Sequence, residues 1–155
     1  MTKLALLSLL FLCSFSSNNL TDFLSDFVED RDCKKIALSG NLLSFSNSDD
    51  VKSELDKFQL YIFDEDDQLS KNDVSKIKNE VSKDGFELLN MIKSDGTNVE
   101  IYVKESSSGN IIEDLFMMVK GDDSSILFYA NGKLRYEDLK NLNLDFDGSD
   151  ALKKL

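Results

Sequence analysis

Histidine, proline and tryptophan are all absent from this 155-residue sequence, and only two cysteines occur. Without histidine, no imidazole can act as a general base or ligate a metal. Without proline, no turn or kink relies on a locked φ. Without tryptophan, the usual platform for stacking a sugar ring is missing. Basic residues are also few. Lys and Arg number 18 against 29 Asp and Glu, a net charge of −11. That excess argues against nucleic acid and anionic membrane surfaces as partners, because both need basic patches. The length fits one domain.

The first sixteen residues, MTKLALLSLLFLCSFS, have a composition of their own. Lys3 is their only charge, and Leu4 to Leu12 is an apolar run broken only by Ser8. Ser14 and Ser16 are small residues spaced as signal peptidase requires. Residues 1–16 therefore read as a secretory signal peptide cleaved after Ser16, leaving residues 17–155 as a single domain. The apolar run is shorter than the ~20 residues of a membrane-spanning helix. A lipid-modified Cys13 is the alternative. Phe11 and Leu12 stand where such sites carry small residues, so the expected product is soluble, and attached to a membrane only if Cys13 is lipidated.

Cleavage leaves Cys33 as the one cysteine, so no disulfide can form within the domain. A small buried apolar side chain is the expected role for it. With no internal staple, stability must come from the core, to which the phenylalanines contribute, eleven in the whole sequence and nine of them in residues 17–155.

Leu20, Phe23, Leu24, Phe27 and Val28 recur at helical spacing, with Asp22, Asp26, Glu29 and Asp30 on the polar side. Asn18 or Asn19 can cap this helix. Ile36 to Leu38 reads as a short strand ending at Gly40. Asp49 or Asp50 can open a short helix on which Val51, Leu55 and Phe58 share a face, and Leu60 to Phe63 reads as the next strand. Ser70 and Asp73 have the spacing of a capping box ahead of a helix faced by Val74, Ile77 and Val81 and stopped at Gly85. From Phe86 the period changes to two, giving strands at 86–93, 98–104, 111–119 and 125–130. Glycine-containing turns join them, and Asn131-Gly132 forms a turn after the last. Leu134, Leu139, Leu142 and Leu144 predict a final short helix and a loose tail. The expected fold is α+β: one mixed sheet of about six strands, its C-terminal four an antiparallel meander, with helices packed on it. Two helical crossovers in the first half favour parallel neighbours there.

The stretch 92–142 contains K-x-D-G-x-N-V-x-I-Y-V-K-E, a glycine turn, I-x-x-L-x-M-x-V, and a hydrophobic strand followed by Asn-Gly and x-E-D-L. These pieces resemble the DUF4252 family, exported proteins of unknown function from Bacteroidetes-type bacteria. The resemblance implies a cell-envelope or periplasmic location. Its motifs are hairpin and strand patterning, so it implies no active site.

Counted from Asp64 as a calcium-binding loop, position 6 is Leu69 where glycine is needed, and position 12 is Ser75 where glutamate is needed. Asp145, Asp147 and Asp150 lack the spacing as well. Both acidic clusters read as solvated turn charge, and no metal or cofactor site is expected. G-x-S-x-G, P-loop, G-x-G-x-x-G and C-x-x-C patterns are absent.

The expectation is an exported, non-enzymatic binding or accessory module whose partner is another envelope protein or a second copy of itself. The alternative is a periplasmic hydrolase using paired carboxylates, which need no histidine. Strand 111–119 is apolar on both faces, so both faces require cover. Helices of the same chain can lie on both. Otherwise a face made of Tyr102, Ile112, Phe116, Met118 and Tyr129 stays open as an interaction surface.

Overall fold

The computed structural model describes residues 19–45 and 53–139. The leader, Cys13 and the second acidic cluster lie outside the described residues. Element by element, the chain runs α1 (Leu20–Phe27), β1 (Lys34–Phe45), β2 (Ser53–Phe63), a 3-10 turn (Glu65–Asp67), α2 (Lys71–Lys83), β3 (Glu87–Ser94), β4 (Thr97–Glu105), β5 (Ile112–Lys120), β6 (Ser125–Leu134) and α3 (Tyr136–Leu139). Leu142 and Leu144, expected to extend the last helix, lie outside the described residues.

The strands form one six-stranded sheet in the order β1-β2-β6-β5-β4-β3. The α+β class and the closing meander β3 to β6 are as the sequence predicts. Parallel neighbours are not found, because every pairing is antiparallel. The segment expected to form a helix around Val51, Leu55 and Phe58 belongs instead to β2 from Ser53 onward. Its β-prone core Phe58–Phe63 is hydrogen-bonded on one side to β1 and on the other to β6, and these two ladders extend the strand back over the helical pattern. β1 and β2 are therefore antiparallel neighbours instead of the parallel pair expected.

The crossover that does exist is α2, and it joins distant strands. β2 and β3 run in the same direction, four spacings apart, or about 19 Å at about 4.8 Å each. A helix of 13 residues is about 20 Å long. It therefore bridges the sheet, and the returning meander places β6 beside β2.

Helix α1 begins where the Asn19 side chain accepts from the Asp22 amide, and the capping box of α2 is formed by Ser70 and Asp73. Both helices lie on one sheet face. There Leu20, Leu24, Val28, Ile77 and Val81 pack on Tyr61, Phe63, Phe116, Met118, Leu127 and Tyr129. The opposite face carries Val99, Ile101, Val103, Leu115, Met117, Val119, Ile126 and Phe128, and α3 contributes Leu139 to it. Both faces of β5 are buried, which accounts for its unbroken apolar run.

This packing corrects the expected open interaction face. Phe116 and Met118 are 0% and 3% exposed, Tyr129 is buried and Tyr102 is half-buried, all beneath the chain's own helices. Ile112 is not their neighbour. The register shifts between Ile112 and Asp114 against both flanking strands, and Ile112 packs into the opposite cluster. An irregularity of one residue moves a side chain to the other face, which strict alternation cannot anticipate.

Candidate functional site

Four ionic clusters tie helices, turns and strands to one another. Glu100 is 2% exposed on β4. Its carboxylate accepts from Lys78 Nζ of α2 at 2.7 Å, from Asn98 Nδ2 at 3.0 Å and from Tyr102 Oη at 2.5 Å. Burial pushes this carboxyl up, but Lys78, Tyr102 and Asn98 outweigh it and hold the pKa below its ordinary 4.5. The same carboxylate and burial push the Tyr102 phenol up. An acid held ionised in this way is unsuited to act as a general acid.

In the second cluster, Asp114 accepts from Tyr129 Oη at 2.6 Å and from Asn131 Nδ2 at 2.8 Å. Lys104 stands 3.1 Å from Asp84 and over the Phe86 ring. Asp84 in turn accepts the first helical amide, Leu20 N, at 2.9 Å. In the third, Arg31 grips Asp73 through two nitrogens, at 2.6 and 3.3 Å, and stacks on Phe27. Burial pushes the Asp73 carboxyl up, but hydrogen bonds from the Ser70 hydroxyl and amide, together with Arg31, outweigh it and hold the pKa below its ordinary 3.8. In the fourth, Asp138 accepts from Ser53 Oγ at 2.6 Å and from Arg135 Nε at 2.7 Å.

These contacts set an acid limit on stability. A carboxyl whose folded pKa is lowered stabilises the fold above its unfolded pKa, and that contribution disappears as pH falls through the folded value. Stability is therefore expected to fall from about pH 4.5 downward as Glu100 and Asp73 take up protons. Glu100→Gln should cost roughly 1–3 kcal/mol at pH 7 and flatten the acid slope. Urea midpoints at pH 7 and pH 3 measure both, and an unchanged slope would show that Glu100 does not carry the acid loss.

Beside α1, the structure opens rather than closes. A groove of about 450 Å³ runs between the C-terminal half of α1 and the β1–β2 pair. Lys35, Ala37, Gln59 and Tyr61 form its floor, and Asp26 and Glu29 stand on its helix wall. Burial pushes the Tyr61 phenol up, while a hydrogen bond with Ser25 of α1 opposes this. Lys35 Nζ donates to the Val28 and Glu29 carbonyls at the end of α1, where the helix leaves acceptors unpaired. Gln59 is 8% exposed, yet its Oε1 accepts no hydrogen bond. Such a group is uncommon, since buried polar atoms are normally paired.

Next to the groove lies the outer edge of the sheet. Among the described residues no strand lies outside β1. Ile36 and Leu38 pair with Leu60 and Phe58, extend the apolar face and are 46% and 50% exposed. At the other edge, β3 also exposes Leu88 and Met91, but a register shift between Leu88 and Asn90 interrupts it. Lys34–Ser39 pairs with β2 without interruption, and the register of β1 shifts only beyond it, between Ser39 and Leu43.

Elsewhere, Cys33 is half-buried, and burial pushes its thiol up against the pull of Lys35. Glu65–Asp67 is an exposed 3-10 turn. Among the described residues, no three acidic or cysteine side chains converge to hold a metal ion. The groove residues were not singled out by the sequence. Its one signal is Gln59, a polar residue inside the apolar run 58–63.

Fold and site together define an α+β domain of one antiparallel sheet, with α1 and α2 on one face and α3 on the other, and a groove beside an open strand edge. The family profile described as "Domain of unknown function (DUF4252)" matches residues 20–142, and the chain belongs to that family. No curated protein and no solved structure matches the chain.

Proposed function

We propose that this chain is an exported, non-enzymatic module of the cell envelope that binds another protein by adding one of its strands to the outer edge of β1. The observation that carries the reading is this edge: an uninterrupted run, Lys34–Ser39, holding the exposed Ile36 and Leu38. Edge strands of monomers are usually guarded by lysines, prolines or bulges. Here both lysines are engaged within the chain. Lys35 folds back onto α1, and Lys34 lies 3.4 Å from Asp64. Strand addition draws affinity from backbone hydrogen bonds and specificity from alternate side chains. The leader-like residues 1–16 support export. The closed, ionised environment of Glu100 weighs against the hydrolase alternative.

A photo-crosslinking residue placed at Leu38 in the native host tests the proposal. The expected product joins an envelope protein to a chain that begins near Ser17, and Ile36→Lys removes it. Products formed from Leu88 but not from Leu38 would overturn the docking edge. A partner in the cytoplasm, or a chain retaining residues 1–16, would overturn export.

A further inference from the structure

We propose that the groove beside β1 receives a lysine or arginine side chain from the added strand, so that the partner segment alternates apolar and basic residues. The inference rests on the strand-addition reading and specifies its partner chemically. An added strand would alternate its side chains between the two sheet faces. Those beside Ile36 and Leu38 meet apolar surface, because these two residues continue the cluster of Leu60 and Phe58. The one between them lies beside Ala37, on the helix side, where the groove opens.

Ala37 is small and pairs directly with Gln59. A long side chain can therefore pass over it toward the Gln59 carboxamide. The separation is two strand spacings, about 10 Å, shared between the incoming side chain and that of Gln59. The terminal torsion of a glutamine is broad, so its oxygen can turn to meet a donor. That oxygen is the acceptor left without a partner. Lys35, the nearest cation, does not supply it, because its ammonium is engaged by Val28 and Glu29 carbonyls.

Charge selects the donor. Asp26 and Glu29 face the groove, and among the described residues neither enters an ion pair. An ammonium or guanidinium satisfies the carbonyl and the carboxylates at once, whereas a neutral donor satisfies only the carbonyl. A second copy of the chain is a poorer occupant, since each carries a net charge of −11.

Three synthetic nonapeptides test the proposal: alternating valine and lysine, valine and threonine, and valine and glutamate. Affinity is measured by calorimetry, and β1 amide exchange by NMR. The lysine peptide should bind at least about tenfold tighter than the threonine peptide, and the preference should shrink with salt. It should slow exchange of β1 amides, and the glutamate peptide should bind weakest. Gln59→Leu should remove most of the lysine preference while leaving threonine-peptide binding intact. The exposed pair Asp26→Asn and Glu29→Gln should do the same, and it carries the test if Gln59→Leu does not fold.

Equal binding of all three peptides with β1 protection would overturn the basic specificity and leave strand addition standing. Lysine-peptide binding without β1 protection would overturn both. Binding by none of them, or self-association of the protein through β1 alone, would overturn the inference.

Discussion

Replacing Gly132 with alanine is expected to prevent stable folding, although Gly132 occupies neither a turn nor a positive-φ position. It sits within β6, opposite Leu55, where β2 shifts its register between Leu55 and Lys57. A Cβ at this position would overlap the Glu54 carbonyl oxygen and lie 3.0 Å from its carbonyl carbon and 3.1 Å from Leu55 Cα. All three obstacles are backbone atoms, so no rotamer change relieves them. β2 and β6 would have to separate where the start of β2 meets the end of β6, at a cost on the order of 3 kcal/mol or more. Loss of the cooperative melting transition, or a drop of roughly 10 °C, would be the readout. A variant that melts with the parent would show that the two strands do not approach so closely.

Phe116→Ala is expected to have the next largest effect. Phe116 is fully buried, packs tilted against the Tyr102 ring with centroids 6.1 Å apart and is roofed by α1 and α2. Its truncation should cost about 3–5 kcal/mol through lost burial and the cavity left behind. Denaturant unfolding would measure this as a lower midpoint with an unchanged slope. Had this face been an open docking surface, the same change would weaken binding and leave stability nearly untouched. A loss of less than about 1 kcal/mol would return the residue to that role.

Both cases show how far local pattern reaches. The Asn131-Gly132 pair has the composition of a hairpin turn, and it reads as one when only the chain is considered. In the sheet, the glycine serves the close approach of a strand 77 residues away in sequence, since Gly132 faces Leu55. Phe116, Met118 and Tyr129 do share a face, as period-two spacing predicts, and Ile112 does not, because of the register shift beside it.

Sequence alone determined the capped helices α1 and α2, the four strands of the meander, the α+β class and the DUF4252 resemblance. These depend on contacts between near neighbours: an apolar stripe, a side chain three residues from an amide, a glycine between alternating runs. Tertiary structure alone decided that β1 and β2 pair antiparallel, that β2 overrides a helical pattern, and that α2 spans the sheet to its far edge. It also decided that α1 and α2 cover the face of Phe116, and that Gln59, Ala37, Asp26 and Glu29 meet in one groove beside an open edge. Each of these depends on which strands become neighbours, a choice made by burying two apolar faces at once. No local window of the chain contains the residues that settle it.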